Sequence, residues 1–234
     1  MAKIKWAIIG VGKFAATRGA ATAIAYAHDE GLKRNADKFE LVGACARTPA
    51  NLEAFAAEYP CRVYTDMREL YAAEKPEGVS ICTFAKDRVE HVKCAIDAGV
   101  KYILVEKPVA MTLAETDEIR DYAEKRGVRL FVNFQRRFGR PFEMVKEAID
   151  SGKLGRLYTA ELWADKVGDM KSILRFVTPD GIENPALDEN FHHGDSDKFL
   201  YFGRAFTDLA SAIAIGSESR LDFSPAYLTQ KMLS

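Results

Sequence analysis

The strongest constraint in this chain is an alternation that runs from its start to about Asn133. Short runs rich in β-branched residues, Ile4 to Ile9, Phe39 to Ala46, Arg62 to Thr65, Gly78 to Thr83, Tyr102 to Val105 and Arg129 to Asn133, are separated by stretches with helical character. Strands that alternate with helices are expected to pair in parallel, because a parallel pair cannot be closed by a tight turn and needs a crossover. Strands covered on both faces lose in-out alternation and read as continuous apolar runs. Trp6-Ala-Ile-Ile and Val79-Ser-Ile-Cys have that texture. The predicted class is therefore α/β, with a doubly wound parallel sheet. Thr112 before Ala114-Glu115-Thr116-Asp117 reads as a helix cap with acids in the first turn, and Arg126-Gly127 as a helix stop.

Beyond Asn133 the texture changes. A basic segment, Arg136-Arg137-Phe138-Gly139-Arg140-Pro141, leads into an amphipathic helix near Phe142 to Ile149 and a turn at Ser151-Gly152. Leu157 to Trp163 alternates as a strand with one wet face. Residues Asp165 to Asn190, rich in Gly, Pro, Asp and Asn, read as a long loop, Ser196 to Phe202 as a helix and Phe206 to Ile215 as a strand. The predicted organisation is a nucleotide-binding domain over 1–133 and a shortened α+β domain over 134–234.

Charge narrows the partners. With 33 Lys+Arg against 34 Asp+Glu the net charge is -1, which offers no basic footprint for nucleic acid or an anionic membrane. Apolar runs such as Ala20 to Ala27 fall short of the ~18 residues of a membrane span. The start, apolar only briefly before Gly10, reads as a strand and turn rather than a signal peptide, so a cytoplasmic location is expected. Cys45, Cys61, Cys82 and Cys94 show no CxxC spacing and are expected to be reduced and mostly buried.

Gly10-Val-Gly12-Lys13-Phe14-Ala15 follows the first strand in the form G-x-G-x-x-A. The first glycine permits a tight turn, the second lets backbone amides approach a pyrophosphate, and Ala15 is small enough for close helix-strand packing. At the first strand of an alternating domain this is the fingerprint of a dinucleotide-binding Rossmann fold; the alternative is a plain strand-helix turn. The acid that usually ends the second strand to hold a ribose is missing, and Ala46-Arg47-Thr48 stands there. A guanidinium and a hydroxyl suit a 2'-phosphate, so NADP(H) is favoured over NAD(H), with a merely solvated Arg47 as the alternative.

At Val105-Glu106-Lys107-Pro108 the chain resembles the glucose-fructose oxidoreductase, inositol dehydrogenase and MocA (Gfo/Idh/MocA) family, whose members carry Glu-Lys-Pro there. Ile8-Ile-Gly-Val-Gly12, Asn133-Phe-Gln-Arg-Arg137 and Ser151-Gly152-Lys-Leu-Gly155 extend the likeness, and Asp188-Glu-Asn-Phe-His192-His-Gly-Asp195 looks like the family's D-x-x-x-H-x-x-D stretch. The resemblance implies that Lys107 contacts both the reacting hydroxyl and the cofactor ribose, and that His192 is the general acid or base; Asp188 would orient the imidazole or pair with Lys107. It also implies that Thr83 and Glu106 join Gly10, Gly12, Lys13, Phe14, Ala15, Arg47, Thr48 and Lys107 at the cofactor, and that Asn133 and Arg137 face the substrate. The chemistry is consistent: moving a hydride to or from a carbinol carbon requires a proton to leave or reach the attached oxygen. A metal reading of Asp188, His192, His193 and Asp195 is disfavoured for want of a second ligand group.

The implied activity is an NADP(H)-dependent oxidoreductase acting on a sugar, sugar derivative or cyclitol. The chain departs from the family at Asn184-Pro185 and Asn190, where glycines are usual, and in the length left for the second domain. A shortened domain would expose apolar surface and favour a homo-oligomer. The second hypothesis is a non-catalytic nicotinamide-binding protein with a role in assembly or regulation.

Overall fold

The computed structural model describes residues 2–12, 24–152, 155, 159–163, 173–178, 181–183 and 200–223. The six predicted strands are present as β1 (Ile4–Ile9), β2 (Phe39–Cys45), β3 (Arg62–Tyr64), β4 (Gly78–Ile81), β5 (Tyr102–Val105) and β6 (Arg129–Val132). They pair in parallel in the order β3-β2-β1-β4-β5-β6, the doubly wound arrangement with its reversal between β1 and β4.

Helices α1 (Ile24–Lys33), α2 (Pro49–Glu58), α3 (Met67–Glu74), α4 (Arg88–Asp97) and α5 (Leu113–Glu124) connect them. Their starts have local causes. Pro49 opens α2, where its missing N–H costs nothing. Asp66 caps α3 by accepting from the Arg68 N–H at 2.7 Å, and Thr112 and Glu115 close a reciprocal capping box on α5. The main core joins Ala7, Ile9, Val79, Ile81, Ile103, Val105 and Val132 of the sheet to Leu70, Val92, Ala95, Ile119 and Ala123 of α3, α4 and α5. All four cysteines are free thiols. Among the described residues no helix is long and apolar enough to cross a membrane.

The chain forms two compact units, residues 1–134 joined by the segment from Phe202 onward, and residues 135–201. The last segment was expected in the second domain; it belongs to the first unit, because its helix fills the other face of the parallel sheet. The expected strand at Phe206 to Ile215 is part of that helix, α7 (Leu200–Ile215). Ala205, Phe206, Leu209, Ala210 and Ala212 are buried, a helical spacing that outweighs the β-branched residues near its end. Phe206 meets Phe39 edge-on at 5.7 Å between centroids. Thr207 donates to Asn35 at 2.7 Å, and Asn35 donates to the Gly203 carbonyl at 2.9 Å. After α7 the chain forms an antiparallel bridge with β6 at Phe131 and Asp222, and Arg129 grips Asp222 at 3.0 Å through each carboxylate oxygen.

The second unit holds α6 (Arg140–Asp150) and an antiparallel sheet of β7 (Thr159–Trp163), β8 (Ile173–Thr178) and β9 (Gly181–Glu183). The stretch expected as one long loop thus contains two strands. Ile173-Leu-Arg-Phe-Val-Thr178 is rich in β formers and pairs along its length with β7, Leu162 opposite Leu174; the surrounding Gly, Pro and Asp had masked it.

Candidate active site

The reversal of winding between β1 and β4 leaves a crevice at the carboxyl ends of the strands, where open α/β sheets bind ligands. Gly10 stands at the end of β1 with φ +95°, a conformation L side chains rarely adopt, and a Cβ there would lie 2.7 Å from Thr83 Cγ2. Its N–H donates to the Cys45 carbonyl at 2.8 Å. The glycine turn is therefore pressed against the ends of both β2 and β4, and nothing larger fits. Gly12 follows, half-buried; Lys13, Phe14 and Ala15 lie outside the described residues.

Thr83 continues from β4. Its hydroxyl is 2.8 Å from His91 Nδ1 on α4, so its methyl faces Gly10 and its oxygen faces α4. Burial, with the Arg88 and Arg47 charges beyond it, holds the His91 imidazole below its usual pKa. Arg47 and Thr48 are exposed just past β2.

Lys107 is exposed on the turn after β5, and its peptide bond to Pro108 is cis. The turn is held from beneath by two buried groups. Arg88, 2% exposed, donates to the carbonyls of Glu106, Pro108 and Thr83, tying the β4 and β5 turns together. The other is Glu106, 4% exposed. Its Oε1 accepts from His28 Nε2 at 2.8 Å and from Asn133 Nδ2 at 2.6 Å, and its Oε2 accepts from the Lys107 backbone N–H at 3.3 Å. His28 Nδ1 lies 2.9 Å from Ser80 Oγ, which accepts from Trp6 Nε1 at 2.9 Å. Burial alone would lower the His28 pKa, but the Cys82 sulfur and the Glu106 carboxylate beside it push it up to about 10. Burial works against the Glu106 charge too, yet the His28 and Asn133 hydrogen bonds and the charge of Lys107 leave its pKa below the usual value.

Of the residues expected at the cofactor and the substrate, Glu106 and Asn133 are buried, Asn133 completely, and they bond to one another and, through Glu106, to the Lys107 backbone. Arg137 lies in the 3-10 turn Gln135–Phe138 of the second unit, half-buried, its pKa lowered by burial. His192 and Asp188, with the neighbouring His193 and Asp195, lie outside the described residues. Among the described residues no group of three potential metal ligands converges. Sequence reading missed His28, Ser80, Arg88 and His91. A serine in the all-buried run Gly78 to Ile81 is the one signal available, since a buried hydroxyl in a strand needs a partner.

A family model described as the oxidoreductase family with an NAD-binding Rossmann fold, Gfo/Idh/MocA, matches residues 4–134. D-glucoside 3-dehydrogenase of Escherichia coli K12 is 33% identical over 120 residues, 51% of this chain and 34% of that protein. Myo-inositol 2-dehydrogenase of Thermotoga maritima is 33% identical over 95 residues, 41% of this chain and 28% of its own length. The chain thus spans about a third of these relatives, 34% and 28%. Among solved structures, the WlbA dehydrogenase from Chromobacterium violaceum in complex with NADH and UDP-GlcNAcA superposes with a TM-score of 0.60 at 25% identity, over 70% of this chain and 45% of that one. With its glycine turn, its Glu-Lys-Pro turn and its six-stranded parallel sheet matched in one continuous stretch, the chain belongs to the Gfo/Idh/MocA oxidoreductase family.

Proposed function

We propose that the protein is an NADP(H)-dependent oxidoreductase that moves a hydride between nicotinamide and a hydroxyl or ketone carbon of a sugar, sugar derivative or cyclitol. The observation that carries this reading is Lys107, an exposed cation on a turn fixed by two buried charged groups at the end of β5. An ordinary surface lysine needs no such support. The cradle at Gly10, which a single Cβ would fill, fits the pyrophosphate of a dinucleotide. The substrate class follows from relatives named for glucosides and inositols.

In this scheme the bound nicotinamide supplies or accepts the hydride. The Lys107 ammonium donates a hydrogen bond to the substrate oxygen and stabilises the charge that gathers there as the carbon changes oxidation state. His192 gives or takes the hydroxyl proton, with Asp188 setting its ring. Arg47 and Thr48, exposed past β2, would hold a 2'-phosphate, for which a guanidinium is suited.

The alternative is a nicotinamide-binding protein without turnover. Parallel fluorescence titrations with NADPH and NADH, then NADPH oxidation against a panel of keto-sugars, separate the two. Tighter NADPH binding with turnover, lost in Lys107→Met while binding persists, supports the enzyme. Binding without turnover across the panel moves the assignment to the second reading, and binding of neither cofactor ends both.

A further inference from the structure

Nothing in the proposed chemistry calls for a histidine in this place, yet His28 is fully buried and bonded through both ring nitrogens. It comes from α1, which is 78 residues from Glu106 in sequence. Its neighbours leave it one orientation. On one side Trp6 Nε1–H fixes Ser80 Oγ, and Ser80 meets Nδ1; on the other Nε2–H points at Glu106 Oε1. Phe206 closes the ring edge, 5.8 Å away and near perpendicular at 82°. Glu106 is in turn the residue whose second oxygen takes the Lys107 backbone N–H.

We infer that His28 is a positioning residue for Lys107, acting through Glu106: the rigid row Trp6, Ser80, His28, Glu106 sets the backbone from which the Lys107 ammonium projects. This deepens the reading of Lys107 as the residue at the reacting oxygen and rests on it. A buried carboxylate oxygen without its donor would draw in a proton or water, release the Lys107 N–H and let the turn shift. Displacements near 1 Å at a reacting group cost about 100-fold in rate. The row predicts a loss that falls on kcat, because His28 touches neither cofactor nor substrate. A glutamine at 28 can still donate an N–H towards Glu106 and is expected to restore most of the function; alanine cannot.

The test reads Lys107 directly. Lysines of the full chain are reductively methylated with 13C-formaldehyde, and the Lys107 signal is identified by its loss in Lys107→Met. In His28→Ala, folded by circular dichroism, the Lys107 signal is expected to move, while His28→Gln keeps it near the parent position. On any keto-sugar turned over by the parent, kcat is expected to fall about 10- to 100-fold in His28→Ala with the cofactor KM within about 3-fold. An unmoved Lys107 signal in folded His28→Ala overturns the inference. Should that variant fail to fold, Ser80→Ala removes only the hydroxyl that steadies Nδ1 and is judged by the same signal, unmoved meaning refuted. If the parent binds neither NADPH nor NADH, the proposed function fails while the Lys107 signal still decides the role of His28.

Discussion

Phe206 stands edge-on to Trp6, ring centroids 6.0 Å apart and planes at 78°. The contact joins a helix near the end of the chain to its first strand, and the same Phe206 also packs on Phe39 and His28. The C-terminal helix thus completes the apolar face opposite α3, α4 and α5. Phe206→Ala leaves a cavity under Trp6 and beside the His28–Glu106 pair, with an expected cost of about 3–5 kcal/mol. Urea unfolding followed by Trp6 fluorescence measures it; a loss below about 1 kcal/mol, the level of a surface change, would mean that α7 is not part of this core.

At Gly10 sterics and conformation act together. Alanine there must hold a positive φ and place its Cβ against both Thr83 Cγ2 and the Thr83 N. Either the turn opens or β4 retreats, and each widens the cradle. Gly10→Ala is expected to weaken NADPH binding at least about 10-fold and to cost about 1–3 kcal/mol of stability. Gly12→Ala separates the close approach to phosphate from the close approach to Thr83. Unchanged affinity in Gly10→Ala would remove the glycine turn from the site.

The sheet and the position of the cofactor site were legible because they rest on local signals. β1 to β6 are contiguous apolar runs, Gly10 sits directly after one, and Thr112 and Glu115 cap α5 from three residues apart. What escaped depends on distance in sequence. The partners of Glu106 are 78 and 27 residues away, and no pattern within a window reports that a histidine and a carboxylate meet. Asn133 sits in a stretch that resembles the family's site, and its bond to Glu106 is not legible there. The segment expected as a strand at Phe206 to Ile215 is helical, because the buried face that favours a helix is set by tertiary packing. The run Ile173 to Thr178 shows the opposite error, a strand hidden by its loop-like surroundings.

Arg88 carries a further test. Its guanidinium lies among three backbone carbonyls from two turns, and burial lowers its pKa. Arg88→Met removes the charge and leaves those carbonyls without a donor, so about 3–5 kcal/mol is expected to be lost. Arg88→Lys keeps the charge but offers one nitrogen where the fork offers two, and is expected to recover less than half of the loss. Thermal denaturation of both variants checks this, with equal melting temperatures for parent and Arg88→Lys as the contrary result. Because the clamp spans Thr83 and Pro108, the Lys variant is also expected to lower kcat on any substrate the parent turns over.

Asp29 ties stability to pH. It lies on α1 beside His28, 2% exposed, with Oδ2 lacking a hydrogen-bond partner and Lys33 Nζ no closer than 3.9 Å. Burial pushes its pKa up from 3.8 to about 7, the Lys33 charge opposing and Glu30 and Glu58 adding to the shift. A carboxyl whose folded pKa is raised favours the fold fully below the unfolded value, and that contribution is lost as pH rises through the folded one. The difference in unfolding free energy between the parent and Asp29→Asn is therefore expected to move in favour of the variant from pH 4 to pH 7, by on the order of 2–4 kcal/mol, and to level off above. The imidazolium of His28, with its pKa pushed up to about 10, is present in both proteins and cancels in the difference. Urea titrations at half-unit steps of pH measure this directly. A difference that stays flat across the range would show that Asp29 ionises in the folded protein as it does in the unfolded chain, and that α1 bears no buried neutral carboxyl.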